Sequence, residues 1–296
     1  MDLFKYAQGQ KLPLQTLYVV ATPIGNLADI TIRALFTLQQ VDGIACEDKR
    51  HSSQLLSAYQ ISKPLLAVHE HNEAELSQTI VQKLSEGERW AYISDAGTPG
   101  ISDPGSRLCE AVIHAGFSVS PLPGPSALIS AASVAGPLLN RSAGQFQFIG
   151  FLPNKGAERQ LALEKFQEQE ITSFFYEAPH RLEKTLKDLM LCLNPERLIF
   201  IGKELSKLHE NISICTVSAL ETWLAQQDKL VGEFVIGIGP SMKKKVSEGL
   251  DSQTLKWLDA LAPLLSHKDL SQITSKVTGV HKNTVYELLL DKKNGL

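Results

Sequence analysis

The sequence predicts an α/β protein with two α/β domains followed by a small helical tail. Three observations support this fold class. The chain has 296 residues, which is too long for one small core. Short apolar runs alternate with segments of helical period in two successive series, as in α/β domains. The last part of the chain shows helical patterns only. We therefore expect domains at residues 1–140, 141–240 and 241–296.

The first series predicts four strands and five helices. The strands are expected at residues 17–21, 43–46, 90–94 and 119–122. The helices are expected at residues 31–40, 52–58, 73–85, 106–115 and 126–135. Asp103 stands where a helix N-cap belongs, and Pro104 follows it at a position that favours proline. The pattern around residues 90–115 is therefore that of a strand, a wide loop and a capped helix.

The second series begins after a segment of small residues, 136–145, where we place a domain boundary. Its expected strands are residues 146–152, 171–176, 197–202, 212–217 and 233–238. Its expected helices are residues 157–167, 181–191 and 218–226. The lysine run at residues 243–245 follows Gly239-Pro240 and is typical of a linker.

The tail resembles a helix-turn-helix, because two short apolar helical patterns meet at Gly279. Residues 241–296 hold nine Lys and six acidic residues, whereas the rest of the chain has a net charge of −6. A basic tail suits an acidic partner such as nucleic acid. A small helical cap without any ligand is the alternative.

Several classes of protein are not expected from this sequence. It contains no run of eighteen apolar residues and no N-terminal apolar segment typical of a secretory signal. Its four cysteines are scattered, as in the reduced cysteines of a cytoplasmic protein. The phosphate-binding pattern G-x-x-x-x-G-K-[ST] and the dinucleotide pattern G-x-G-x-x-G are absent. A His-Glu-His segment at residues 69–71 lacks the further ligands that a metal site requires.

Four loops of the first domain directly follow predicted strands and are rich in Gly, Pro and acidic residues. They are ATPIGNLAD (21–29), CEDKRH (46–51), SDAGTPGISDPG (94–105) and PLPGPSA (121–127). In an open parallel sheet, ligands bind outside the carboxyl ends of the strands. Glycine lets a ligand approach the backbone closely. We therefore expect a ligand site where these loops converge.

Eight motifs carry a resemblance to a known family. They are ATPIGNLADIT, ACEDKRHS, SDAGTPGISDPG, PLPGPSA, FIGFLP, FYEAPHRL, KELSKLHE and GEFV, in this order. Together they resemble the ribosomal RNA small subunit methyltransferase I group of the tetrapyrrole methylase superfamily. The resemblance implies a two-domain tetrapyrrole-methylase-like fold with a cofactor cleft between the domains, and a cytoplasmic homodimer. The implied activity is S-adenosylmethionine-dependent methylation of a cytidine ribose 2′-hydroxyl in the decoding centre of 16S ribosomal RNA, either free or in the 30S subunit.

The resemblance also implies which residues bind S-adenosylmethionine, and it implies no metal. These residues are Pro23, Gly25, Asp95, Ala96, Gly97, Thr98, Pro99, Ser126, Ala127, Leu152, Tyr176 and Glu177. The small residues suit direct contact of the cofactor with the backbone. The charge of Asp95 favours a cationic cofactor. Alternatively, Asp95 is a turn carboxylate that accepts hydrogen bonds from Gly97 and Thr98 N–H.

A ribose hydroxyl is weakly acidic, so a general base would assist its methylation. The candidate catalytic residues are Lys203, Glu204 and Glu47, with His51 and His180 as further possibilities. Lys203 and Glu204 could instead be a surface ion pair. The candidate RNA-binding residues are Arg50, His51, Lys276, Lys282 and Asn283, which suit phosphate and base contacts. The sequence leaves the identity of the base open.

Two other functions remain possible. A tetrapyrrole methylase acts on substrates ringed by carboxylates and should need arginines in its cleft, but the eight arginines are spread along the chain. A non-catalytic RNA-binding assembly factor is the second possibility, and the intact loop at residues 95–99 argues against it.

Overall fold

The computed structural model describes residues 3–68, 72–102, 104–241, 250 and 252–293. Three sequence predictions lie outside the described residues: the cap Asp103, the His-Glu-His segment 69–71 and the lysine run 243–245. The chain divides into two compact units, Met1–Ser241 and Met242–Leu296. Both sheets belong to the first unit, and the predicted boundary between residues 140 and 141 lies inside it. In the described parts of the chain, no helix has the length and apolar character needed to cross a membrane.

The first sheet is parallel and has the order β3-β2-β4-β1-β5. Its strands are β1 (Thr16–Val20), β2 (Gly43–Cys46), β3 (Leu65–Ala67), β4 (Trp90–Ile93) and β5 (Ser118–Leu122). Its helices are α1 (Ile32–Gln40), α2 (Lys49–Ala58), α3 (Glu73–Ser85), α4 (Ser106–His114) and α5 (Ala127–Val134). A short 3-10 helix, Leu27–Asp29, precedes α1. The four predicted strands and five predicted helices are present, and β3 was not predicted.

Both faces of the first sheet are buried, because successive residues of a strand point to opposite faces. Tyr18 and Ile93 pack with Leu38 of α1 on one face. Leu17 and Tyr92 pack on the other face against α3 and α4. Burial of both faces explains why these strands read as continuous apolar runs. Each such side chain contributes about 1.5–3 kcal/mol when fully buried.

The N-terminus of α4 is capped by a side chain from another helix. Its N-cap residue is Gly105, which has no side chain to offer. The buried carboxylate of Glu73 on α3 instead accepts hydrogen bonds from Gly105 N–H (2.9 Å) and Leu108 N–H (3.1 Å). Pro104 lies before the helix, so its predicted place in the first turn is wrong. Its carbonyl accepts a hydrogen bond from the Tyr92 hydroxyl at 2.7 Å.

The second sheet is mixed and has the order β6-β7-β10-β8-β9. Its strands are β6 (Phe146–Phe151), β7 (Thr172–Glu177), β8 (Leu198–Lys203), β9 (Asn211–Thr216) and β10 (Phe234–Ile238). The associated helices are α6 (Gly136–Leu139), α7 (Gly156–Glu168), α8 (Pro179–Cys192) and α9 (Leu220–Ala225). Only β6 and β7 pair in parallel. In this order the central strand is β10, which is the last strand along the described part of the chain.

A shared apolar cluster joins the two sheets. Phe174, Phe200 and Val235 of the second sheet pack with Leu128 of α5 and Leu138 of α6. Ile24, from the loop after β1, belongs to the same cluster. The opposite face of the second sheet packs against α7, α8 and α9. Because α5 contributes to this cluster directly after β5, the loops at the ends of the first-sheet strands lie next to the second sheet.

The described residues of the second unit form three helices, α10 (Ser252–Leu261), α11 (His267–Thr278) and α12 (Lys282–Lys293). Ser266 caps α11 by accepting a hydrogen bond from Asp269 N–H at 3.1 Å. Gly279 ends α11 in the left-handed conformation, with φ of +76°. The helices enclose a small core that includes Leu258, Leu270 and Val285. The predicted pair of helices joined at a glycine is thus present.

Candidate active site

The loops after β1 and β4 are locked together at the carboxyl edge of the first sheet. Strands β4 and β1 are neighbours in this sheet, but the chain leaves β1 towards β2 on one side and leaves β4 towards β5 on the other. Open α/β sheets bind ligands at such a point, outside the carboxyl ends of the strands. Thr22 and Gly97 exchange two backbone hydrogen bonds of 2.9 and 3.0 Å. Gly97 has φ of +81°, and a Cβ there would lie 3.3 Å from Ile24 Cγ2. Glycine is therefore required for this close approach.

The loop after β5 packs on the same two loops. The hydroxyl of Thr98 donates to the Pro125 carbonyl at 2.9 Å. A Cβ on Gly124 would lie 2.8 Å from the Cβ of Ala21. Ser126 then caps α5 by accepting a hydrogen bond from Ile129 N–H. Three of the four loops singled out in the sequence therefore form one rigid edge.

The turn between β8 and β9 connects the second sheet to this edge. Ser206 in this turn donates a hydrogen bond from its hydroxyl to the Asp29 carboxylate. The aliphatic stem of Lys207 lies against Gly25, where a Cβ would be 2.4 Å from Lys207 Cγ. Lys207 Nζ also contacts Glu204 Oε1 at 2.8 Å and Glu233 Oε2 at 3.2 Å. Ser206 and Lys207 of the KELSKLHE motif thus connect the second sheet to the loop after β1 of the first sheet.

A cavity of about 350 Å³ opens between the strand-end loops and the second sheet. Its walls are mostly small and apolar residues: Ile24, Ala96, Gly97, Thr98, Ile101, Ser102, Ser126, Ala127, Phe151, Tyr176, Glu177, Ala178, Pro179, Leu205, Glu233, Phe234 and Val235. This volume lies in the range of roughly 300–1,000 Å³ that is common for small-molecule sites. The cavity can therefore hold a ligand with apolar parts against exposed backbone.

Seven of the twelve predicted cofactor residues line this cavity. They are Ala96, Gly97, Thr98, Ser126, Ala127, Tyr176 and Glu177. Five others lie outside its wall: Pro23, Gly25, Asp95, Pro99 and Leu152. Pro23, Pro99 and Leu152 are buried, whereas Gly25 packs against Lys207. These residues shape the loops behind the cavity.

Glu177 lines the cavity, but its carboxylate is fully used within the protein. Oε1 accepts a hydrogen bond from Ala178 N–H at 2.9 Å and pairs with Arg181 Nε at 3.0 Å. Oε2 accepts a hydrogen bond from the Thr185 hydroxyl at 2.6 Å. Arg181 Nη2 in turn donates to the Leu152 carbonyl at 2.6 Å. This network fixes the wall formed by the FIGFLP and FYEAPHRL motifs.

Asp95 accepts a hydrogen bond from Asp48 N–H at 3.2 Å, which joins the loops after β2 and β4. The alternative expectation of a bond from Gly97 N–H is wrong, because that N–H donates to Thr22. Glu47 is half-buried beside Asp95, and burial together with the charge of Asp95 raises the pKa of Glu47. No cluster of metal-binding side chains is found within the described residues.

Arg50 and His51 lie in the first turn of α2 and are exposed. Asp48 caps this helix by accepting hydrogen bonds from Arg50 N–H (2.6 Å) and His51 N–H (3.3 Å). These two bonds lower the pKa of Asp48. The helix therefore starts at Lys49, three residues before the predicted start. Both candidate RNA-binding side chains remain available to solvent at the loop edge of the sheet.

None of the three candidate bases lines the cavity. Burial acts to raise the pKa of Glu204, but hydrogen bonds from Lys207 and Glu233 N–H and the nearby lysine charges hold it below its usual value. Glu204 is thus a poor proton acceptor with a structural role in the turn. Lys203 ends β8 and is half-buried, and Glu47 lies on the loop after β2.

Ten residues of the wall were not among the predicted cofactor residues: Ile24, Ile101, Ser102, Phe151, Ala178, Pro179, Leu205, Glu233, Phe234 and Val235. Ile24, Ile101 and Ser102 lie in the loops 21–29 and 94–105, which were expected to form a ligand site. The other seven lie in the motifs FIGFLP, FYEAPHRL, KELSKLHE and GEFV, which carried the resemblance but received no assignment at these positions. In the second unit, Lys276 lies in the last turn of α11, and Lys282 and Asn283 lie in the first turn of α12.

Comparison with known proteins assigns the chain to a family whose solved members share this fold. The family model of the tetrapyrrole (corrin/porphyrin) methylases matches residues 16–221. A solved cobalt precorrin-4 methyltransferase, a cobalamin biosynthetic enzyme, superimposes with a TM-score of 0.56 at 16% identity, covering 76% of this chain and 95% of that one. The uroporphyrin-III-C-methyltransferase of Thermus thermophilus gives a TM-score of 0.52 at 19% identity, covering 76% and 94%. This chain belongs to the tetrapyrrole methylase family and is a methyltransferase.

Sequence relatives point to one group of methyltransferases within this family. The ribosomal RNA small subunit methyltransferase I of Haemophilus influenzae is 43% identical over 92% of this chain and 95% of the relative. The protein of the same name from Escherichia coli O157:H7 is 40% identical over 94% of this chain and 95% of the relative. The resemblance found in the sequence motifs is thus confirmed.

Proposed function

We propose that this chain uses S-adenosylmethionine to methylate the ribose 2′-hydroxyl of a cytidine in the decoding centre of small-subunit ribosomal RNA. The observation that carries the proposal is the cavity of about 350 Å³ at the strand-end loops of a methyltransferase fold. Relatives at 40–43% identity bear the name of a ribosomal RNA small subunit methyltransferase. This relationship supports ribosomal RNA of the small subunit as the class of substrate.

The cavity suits the cofactor in its chemistry. Ala96 and Ala127 leave backbone accessible to an adenosine or a methionyl chain, because their side chains are small. Tyr176 and Val235 supply an apolar surface from the second sheet. When bound, S-adenosylmethionine supplies an electrophilic methyl group. The chain's own contribution is to hold this group in line with the hydroxyl, since orientation can account for much of the rate.

RNA would be bound outside the cavity by exposed basic and polar residues. Arg50 and His51 lie at the loop edge of the first sheet and suit phosphate or ribose contacts. Lys276, Lys282 and Asn283 lie around the turn of the helical unit and are its candidate phosphate contacts. We further propose that the protein acts in the cytoplasm as a homodimer.

A tetrapyrrole substrate is less well supported. Its peripheral carboxylates would favour arginine or lysine side chains near the reacting methyl group. The residues described as lining the cavity include neither Arg nor Lys. Four solved tetrapyrrole methylases are 15–20% identical to this chain, which is a similarity of fold alone.

The test uses small ribosomal subunits from cells that lack this gene, together with the purified protein and radiolabelled S-adenosylmethionine. Digestion of the RNA and separation of its nucleosides should place the label in 2′-O-methylcytidine. Ala96→Phe should abolish transfer by filling the cavity, because Ala96 is an exposed residue of its wall. The matched control Ala58→Phe, at the exposed end of α2, should remain active. Cofactor binding without any transfer to RNA would refute the proposed function.

A further inference from the structure

We infer that Glu233 is the carboxylate that accepts the proton of the ribose hydroxyl, and that Lys207 positions it. This inference rests on the proposed function and assigns the base that the sequence left open. Glu233 precedes β10 in the GEFV motif and lines the cavity. The candidate bases considered from the sequence, Lys203, Glu204, Glu47, His51 and His180, all lie outside the cavity wall.

The nature of the substrate limits where the base can be. The target hydroxyl belongs to one nucleotide of an RNA strand, and a strand cannot enter a cavity of about 350 Å³. The hydroxyl must therefore meet the methyl group at the mouth of the cavity. A group that accepts its proton must belong to the cavity wall and also be reachable from solvent.

Among the described residues of the wall, two carry carboxylates, Glu177 and Glu233. The side chain of Glu177 has no exposed surface, and both its oxygens are engaged by Ala178, Arg181 and Thr185. The side chain of Glu233 is 74% exposed. Glu233 therefore meets both conditions, whereas Glu177 is a structural carboxylate.

The surroundings of Glu233 fix its place at the mouth. Its N–H donates to Glu204 Oε1 at 2.8 Å, and its carbonyl accepts from Glu204 N–H at 2.9 Å. Lys207 Nζ lies 3.2 Å from Glu233 Oε2 and 2.8 Å from Glu204 Oε1. The stem of Lys207 packs against Gly25. The ion pair with Lys207 therefore orients Oε2 of Glu233, while the carboxylate remains accessible to solvent.

The proton and electrons balance in this assignment. The bond between the ribose oxygen and the methyl carbon forms as the sulfur–methyl bond breaks and its electron pair returns to sulfur. The hydroxyl proton passes to the Glu233 carboxylate and from there to water. Lys207 keeps its proton throughout and acts only on the position and charge environment of Glu233.

The experiment compares wild type with Glu233→Gln in single-turnover methyl transfer to unmodified small subunits. The affinity for S-adenosylhomocysteine is measured by calorimetry. Loss of a general base should slow transfer by about 100-fold or more, while the affinity should change by less than about threefold. The matched control is Glu183→Gln, because Glu183 is an exposed glutamate of α8 paired with Lys187 at 2.7 Å. This control should leave both quantities unchanged.

The pH dependence gives a second readout. A carboxylate can accept a proton only when it is ionised, so the dependence of the transfer rate on pH should differ between wild type and Glu233→Gln. Lys207→Met keeps the stem against Gly25 and removes the charge. Because Glu233 then loses the partner that orients it, transfer should slow in this variant while the affinity for S-adenosylhomocysteine is retained.

Three outcomes would overturn the inference: a Glu233→Gln rate within about threefold of wild type, an unchanged pH profile, or a loss of transfer that merely parallels a loss of cofactor affinity. If the glutamine variant is less stable, Glu233→Asp serves instead, and it should keep the pH dependence of the wild-type rate. A wild-type protein that places no label in 2′-O-methylcytidine would refute the proposed function itself. An active wild type with an unaffected Glu233→Gln would refute only the role of Glu233.

Discussion

Replacement of Glu73 by Ala should destabilise the first unit and loosen the main loop of the cavity. Glu73 is 4% exposed and accepts two hydrogen bonds from the start of α4. Hydrogen bonds to charged groups contribute about 1.5–3 kcal/mol each. Part of this is offset, because the variant no longer buries a carboxylate. We expect the free energy of unfolding to fall by about 2–4 kcal/mol.

The glutamine variant separates the loss of charge from the loss of the acceptor. Glu73→Gln keeps one side-chain oxygen facing Gly105 and Leu108 N–H, so its cost should be about 1–2 kcal/mol. Glu75 lies two residues after Glu73 on α3 and is exposed. The control Glu75→Ala should therefore change the free energy of unfolding by less than about 0.5 kcal/mol. The measurement is urea unfolding, in which the midpoint should shift while the m-value, the dependence of the unfolding free energy on urea concentration, stays constant.

The same variants test how the cap supports the site. The chain between β4 and α4 includes Ala96, Gly97 and Thr98 of the cavity wall and is held at its far end by Glu73. Cofactor affinity should therefore fall in Glu73→Ala and be largely retained in Glu73→Gln. Wild-type stability in Glu73→Ala, or an equal loss in both variants, would refute the capping argument.

Three further predictions concern other parts of the chain. Gly97→Ala should cost about 1–2 kcal/mol of stability and weaken cofactor binding, because its φ of +81° disfavours any other residue; equal urea midpoints would contradict this. The raised pKa of Glu47 means that its ionised form destabilises the fold at neutral pH. Glu47→Gln should therefore melt at a higher temperature than wild type at pH 7, and the difference should vanish as the pH falls below the ordinary pKa of glutamate; a difference that persists there would contradict the assignment. A chain ending at Ser241 should keep the cofactor affinity and lose RNA affinity in a gel-shift assay; unchanged RNA binding would refute the role of the tail.

The regular elements of the fold were predictable because their signals are local. Runs such as Trp90–Ile93 are apolar throughout and bounded by polar loops, which is typical of strands buried on both faces. The short strand Leu65–Ala67 was missed because three half-buried residues show no period. The early start of α2 was missed because Lys49, Arg50 and His51 are polar and solvent-exposed, so only the cap Asp48 marks it.

The cavity was predicted in part. Ala96, Gly97 and Ala127 of the first-sheet wall, and Tyr176 and Glu177 of the second-sheet wall, were assigned through the family resemblance of their motifs. The rest of the second-sheet wall depends on pairings between distant segments. Glu233 faces Lys207 only because β10 inserts beside β8, and the sequence does not specify that pairing. The cap on α4 comes from Glu73, 32 residues upstream of Gly105, and local pattern pointed to Asp103 instead.

The central place of β10 has a consequence for synthesis of the chain. Strands β7 and β8 both pair with β10, so before residues 234–238 leave the ribosome each presents an unpaired edge. Unpaired edges template association with other chains, and nascent domains with late long-range pairing are exposed to it. The cavity wall at Phe234 and Val235 is also missing until then. About four-fifths of the chain must therefore be synthesised before the second sheet and the cavity wall can be complete.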